Sequence, residues 1–190
     1  MDGCKNTGSP HEVPNMWEPP AEHPLRRMFS GLAEHAFLSR LGVADPPLID
    51  YLSSLLSRFV HCNAVHRLRA TDGRPLTEVV EMVMEAEQLP AGGRTRREYY
   101  RHIGDFALFW TGVFPESIDR SRRHCKDAFV DYTVQGKRGY LLTSRLEEAE
   151  HPVEADLFKR LSDQFEVCAL GLREVRREWE ELPPGTNLIH

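Results

Sequence analysis

The sequence predicts an all-α fold, a single-domain bundle of about six helices with a buried central helix and an extended N-terminal tail. Three observations carry this. Apolar residues recur at spacings of three and four along most of the chain, the period of one helical face. No segment alternates as a strand does, and the best candidate, Tyr140 to Thr143, fits its helical flanks better. The breaks between periodic stretches hold Gly, Pro and Asp, as at Gly42, Asp72-Gly73 and Leu89-Pro90-Ala91-Gly92-Gly93.

Residues 1–24 contain Pro10, Pro14, Pro19, Pro20 and Pro24 and little apolar periodicity, so they read as a tail or arm. Met16 and Trp17 would either dock on the body as a strap or lie in a solvated tail. The helical domain is expected over 25–182. Leu25, Met28, Phe29, Leu32, Ala36 and Phe37 predict a first helix to about Arg40, closed by Gly42. Asp45 is placed to cap a second helix with Pro46 at its first position. Its stripe is Leu48, Leu52, Leu55, Phe59 and Cys62, with continuation expected to about Arg69. A third helix is expected from near Pro75, with Leu76, Val79, Val80, Val83 and Met84 inward.

Tyr99, Ile103, Phe106, Trp110 and Val113 share one face of the predicted central helix, Thr95 to Phe114. Phe106 to Trp110 is apolar all round, so that half is expected to be buried on all sides. Thr95 and Glu98 have the spacing of a capping box, and Pro115 ends the helix. A basic connector follows, with Arg120, Arg122, Arg123 and Lys126. A fifth helix is expected over 127–149 from Phe129, Tyr132, Gly136, Tyr140 and Thr143. Beyond Pro152 the last helix carries Leu157, Leu161, Phe165, Cys168, Leu172, Val175 and Trp179, the most regular seam in the chain. Pro183-Pro184-Gly185 ends it, leaving 183–190 as a C-terminal tail.

The net charge of −5 favours solubility and makes no strong case for nucleic acid. Arginines outnumber lysines, a bias that ion pairing or a GC-rich genome would produce. Cys4, Cys62, Cys125 and Cys168 form no C-x-x-C pair, and no apolar run approaches a membrane span or a signal-peptide core. A cytoplasmic protein with reduced thiols is expected.

Three constellations could carry chemistry. His102 and Asp105 are neighbours on one helical surface, where they would transfer protons or hold a metal at a pocket mouth. The structural alternative makes Asp105 an anchor bonded to an arginine or to a tyrosine hydroxyl of another helix, because a carboxylate entering an apolar segment needs a partner. Tyr132 and Tyr140 flank Gly136 on one face, leaving a notch with aromatic walls. Either a small ligand occupies it, bounded by His102, Asp105, Trp110, Tyr132 and Tyr140, or a neighbouring helix approaches there, at Gly104 or Gly112. Arg94, Arg96, Arg97 and Arg101 form a candidate basic patch, for which Glu147, Glu148, Glu150, Glu154 and Asp156 offer intramolecular partners.

Cys62 and His66, with His61, His124 and Cys125, have ligand-type side chains but no supporting motif, and Glu148 with His151 lacks a second copy, so no metal site is assigned. No catalytic residue and no cofactor is named either, since P-loop, dinucleotide, nucleophile-elbow and kinase signatures are missing from the sequence.

The runs RREYYRHIGDFALFWTGVFPESI and DYTVQGKRGYLL resemble an uncharacterised all-helical bacterial family, over about His23 to Trp179. That resemblance implies one cytoplasmic helical domain and carries over no activity or cofactor. The leading expectation is a non-enzymatic interaction or adaptor module that binds a protein partner or forms a homodimer. The alternative is a small-ligand or cofactor-binding bundle with its pocket between the 95–114 and 127–149 helices. An enzyme using His102 and Asp105 for proton transfer is the weaker third reading.

Overall fold

The structure is a computed structural model that describes residues 19–60, 65–70, 72–121, 127, 130–147 and 151–183. The proposed arm with Met16 and Trp17 lies outside the described residues, as do His61, Cys62, Arg122 to Lys126, Phe129, Glu148 and Glu150. Among the described residues the fold is all-helical, with eight α-helices packed together where about six were expected. No helix among them is long and apolar enough to cross a membrane.

Helix α1 (Pro24–Glu34) begins at His23, whose Nδ1 accepts from the Leu25 amide. It runs on as a π-helical turn, His35–Arg40, before Gly42 closes it at a φ of 67°. Helix α2 (Pro46–Phe59) has Asp45 as its cap, the carboxylate accepting from the Leu48 amide. It ends at Phe59, short of the expected Arg69. Beyond it, Arg69 and Pro75 form an isolated antiparallel bridge around the Asp72-Gly73 turn, Gly73 having a φ of 85°. Leu68 and Leu76 are buried on either side of that turn, so an extended chain rather than a helix delivers them to the core.

Helix α3 (Val79–Gln88) starts later than Pro75 and has a different phase from the one expected. Val79, Met82 and Ala86 point inward, and Met84, expected inward, is exposed. Its start is fixed from a distance, since both oxygens of the Asp127 carboxylate accept from its first amides, Val79 and Val80. Helix α4 (Arg94–Val113) has Gly93 at its cap position, with no side-chain cap. The expected Thr95–Glu98 capping box does not form; Glu98 instead pairs with Arg67 at 2.7 Å. Phe106 to Phe109 are buried, while Trp110 is only half-buried. Short α5 (Pro115–Ser121) follows, in a stretch expected to be a connector.

Helix α6 (Tyr132–Glu147) starts five residues after the expected Asp127, because the Asp131 carboxylate caps Thr133 and Val134 while Asp127 is committed to α3. The single long last helix is two, α7 (Pro152–Asp163) and α8 (Phe165–Glu180), meeting at Gln164. The buried face carries across that junction, from Leu161 to Phe165. Ala155, Phe158 and Leu161 face inward on α7, whereas Leu157, part of the expected seam, is half-buried.

Helix α4 packs along α6 and also touches α2, α3, α5 and α8. Glycines permit the closest crossing. A Cβ at Gly139 would lie 2.7 Å from the Tyr100 carbonyl oxygen and 3.0 Å from the Gly104 amide nitrogen. One apolar cluster runs through these helices, from Leu25 to Val175.

Candidate functional site

The polar centre of the molecule is Asp105, in the middle turns of α4, with no exposed surface. A bare carboxylate there would be costly, and two other helices supply its partners. Its Oδ1 accepts from the Tyr51 hydroxyl of α2 at 2.6 Å and from the Tyr140 hydroxyl of α6 at 2.9 Å. Its Oδ2 faces Nη2 of Arg58, also on α2, at 3.4 Å. Tyr51 and Arg58 are seven residues apart, two helical turns, so one face of α2 presents both. Arg58 is 1% exposed, and its Nε donates to the Ser54 carbonyl. Arg101, one turn before Asp105, donates from Nε to the Tyr51 hydroxyl oxygen at 3.3 Å. The guanidinium groups of Arg58 and Arg101 both lie over the Tyr51 ring, at 5.6 and 5.5 Å, and Arg101 also lies over Phe158.

Burial, reinforced by the Asp105 charge, pushes the Tyr51 hydroxyl up to about 12 and raises Tyr140 well above the usual phenol value. Both therefore remain protonated donors at neutral pH. A general acid works best with its pKa near the operating pH, and these phenols are tuned away from it. Their chemistry is that of an anchor.

His102 is buried and turned away from Asp105. Its Nε2–H donates to the Val65 carbonyl at 3.2 Å, and its ring packs beside Phe59 and Phe106. Burial, helped by the Arg67 charge, pushes its pKa down to about 3, so the imidazole is neutral at pH 7 and a weak base.

Tyr132 and Tyr140 serve different carboxylates. The Tyr132 hydroxyl donates to Asp127 at 2.8 Å, completing the cap on α3, and its ring stacks on Phe106. The space at Gly136 between the two tyrosines faces the ring of Phe165; a Cβ at Gly136 would lie 2.4 Å from it and 3.0 Å from Ala107. Trp110 packs against Phe106, Phe109 and Phe114. Of the candidate basic patch, Arg97 pairs with Glu147 at 3.0 Å, Arg96 donates to the Leu89 carbonyl and the Tyr100 hydroxyl, and Arg101 belongs to the Asp105 network. Arg94 is exposed.

Tyr51, Arg58 and Asp127 had not been singled out from the sequence. For Arg58 a signal existed: it lies beside the stripe residue Phe59, in a helix whose other polar side chains nearby are serines. An arginine carried into that interior needs a counter-charge, and Asp105 supplies it. Asp127 left no comparable trace, since its partners are backbone amides 47 and 48 residues away.

Among the described residues no three His, Cys, Asp or Glu side chains are grouped to hold a metal. An open cleft of about 370 Å³ lies elsewhere, lined by Pro47 of α2 and by α7 from Pro152 to Arg160. No family model, curated protein or solved structure matches the chain.

Proposed function

We propose that this protein is a non-enzymatic helical interaction module, acting in the cytoplasm by presenting helix faces to a protein partner. The observation that supports this reading is the Asp105 network, in which Tyr51, Arg58 and Tyr140 bind one carboxylate. The most chemically capable side chains of the core are engaged with one another, and together they fix α2, α4 and α6. What remains for function is the surface. The protein would act as a rigid carrier of docking residues.

A second reading, a bundle that binds a small ligand or cofactor around His102, Asp105, Trp110, Tyr132 and Tyr140, has one observation in its favour. His102 Nδ1 and Trp110 Nε1 are buried without a hydrogen-bond partner among the described residues. A small polar ligand would satisfy such nitrogens, as would ordered water.

Native mass spectrometry on protein purified from its own host, with metal analysis of the same sample, separates the two. The module reading expects a bare chain, alone or in an assembly, and expects His102→Ala and Tyr132→Phe to lower only the unfolding temperature. A reproducible extra mass lost on those substitutions would replace it with the ligand-binding reading.

A further inference from the structure

We infer that the partner docks in the cleft between the starts of α2 and α7, with a large aliphatic side chain that has lysine or arginine beside it; this rests on the interaction-module reading. The cleft is about 370 Å³, near the small end of binding pockets, so it suits one inserted side chain better than a whole helix. Its walls are Pro47, Pro152, Val153 and Leu157. Val153 is 82% exposed, the highest value among the large hydrophobic side chains described. Pro47 and Pro152 stand in the first turns of their helices. Their rings fix φ and offer no N–H, so this wall is apolar and rigid before anything binds. Docking there orders little that is not ordered already.

The charges that line the cleft select the occupant. They are Glu154, Asp156 and Arg160. Arg160 pairs with Asp45 and, at 3.0 Å, with Asp156, so the one lining base is shared by two acids. Glu154 is exposed and makes no ion pair or hydrogen bond among the described residues. The other charged groups close by cancel: Glu147 with Arg97, Asp50 with Arg26, and Lys159 with Asp163. Arg101, over Phe158, belongs to the Asp105 network, and exposed His151 adds positive charge only when protonated. The rim is left with a surplus of acid.

An apolar cleft with an acidic rim takes an aliphatic side chain with a base next to it. Two occupants that the chain itself offers bring acid instead. In the N-terminal arm the apolar pair Met16-Trp17 is followed by Glu18. A two-fold pairing through the cleft would set Glu154 and Asp156 of one copy against the same acids of the other. A basic segment of a different protein meets both demands.

Selection from a random heptapeptide library on the full chain, with Val153→Arg as the counter-target, tests this. The expected result is enrichment of peptides that hold Leu, Ile or Met beside Lys or Arg. The most enriched peptide shifts the methyl signals of Val153 and Leu157 saturably, and Val153→Arg and Glu154→Arg each weaken its binding at least about tenfold. The same peptide with glutamate in place of its bases binds the wild type at least about tenfold more weakly. Circular dichroism on each variant shows native helix content; if Glu154→Arg disturbs α7, Glu154→Gln takes its place. Enrichment of acidic or uncharged peptides overturns the inference, as does a selection that wild type and Val153→Arg answer alike. Removal of residues 1–18 that moves the same methyl signals would make the arm the occupant and overturn it too, as would a dimer in sedimentation that Val153→Arg dissolves. A partner protein whose binding ignores Val153→Arg would sink the cleft and keep the module reading. Basic peptides that bind here to a chain carrying a stoichiometric ligand would do the opposite.

Discussion

At the residue scale, His102 shows most directly how burial changes a side chain's role. In the folded protein its pKa is about 3, against 6.5 for a free histidine, with burial as the main cause. The unfolded chain therefore takes up a proton as pH falls below about 6.5, and the folded chain does not until about pH 3. Stability from this group is fully present above pH 6.5 and declines through that window, because the unfolded state binds more protons there. Between pH 7 and pH 5 the loss is roughly 2 kcal/mol for one such group. His102→Phe, which keeps an aromatic ring beside Phe59 and Phe106, removes that part of the acid sensitivity. Urea unfolding of both proteins at the two pH values measures it. An equal decline in the variant would mean that His102 is not held neutral.

At the scale of elements, the helices were legible and their ends much less so. Asp45 and Pro46 announced the start of α2, Gly42 the end of the first helical segment, and Pro115 the end of α4, since each acts on the backbone within a turn of itself. Helix α3 had no such local marker. Its first amides are bound by Asp127, a residue next to another helix, and periodicity alone put the start near Pro75 and Met84 on the wrong side. The break at Gln164 was hidden for a similar reason. No glycine or proline marks it, and the seam from Leu161 to Val175 keeps its spacing across the junction. Asp127→Ala removes two backbone partners and the acceptor of the Tyr132 hydroxyl. Loss of a cap costs about 1–2 kcal/mol, and the stranded hydroxyl adds to it. The expected consequence is fraying confined to the first turn of α3, read as faster amide exchange at Val79 and Val80. Unchanged exchange there would show that the distant cap does not hold the helix.

At the scale of the whole molecule, the candidate site and the fold turn out to share their residues. His102 and Asp105 stood out in the sequence because polar groups ahead of an apolar helix need a reason, and function and architecture are both adequate reasons. Sequence spacing could not choose between them, since the partners of Asp105 come from 35 to 54 residues away on other helices. Those partners bind α2, α4 and α6 through one buried carboxylate, and the same apolar cluster embraces the flanking helices. Unfolding should accordingly be a single event. Asp105→Ala leaves Arg58 as a buried charge without its acid, a change that typically costs about 3–5 kcal/mol. For a chain of this size that lowers the unfolding temperature by roughly 10 °C. Tryptophan fluorescence, to which Trp110 in α4, Trp179 at the far end of α8 and Trp17 contribute, and far-UV circular dichroism should fall together, at one midpoint, in both wild type and variant. Two separate transitions, with only the fluorescence midpoint shifted in the variant, would show that the network stabilises the neighbourhood of α4 and not the bundle.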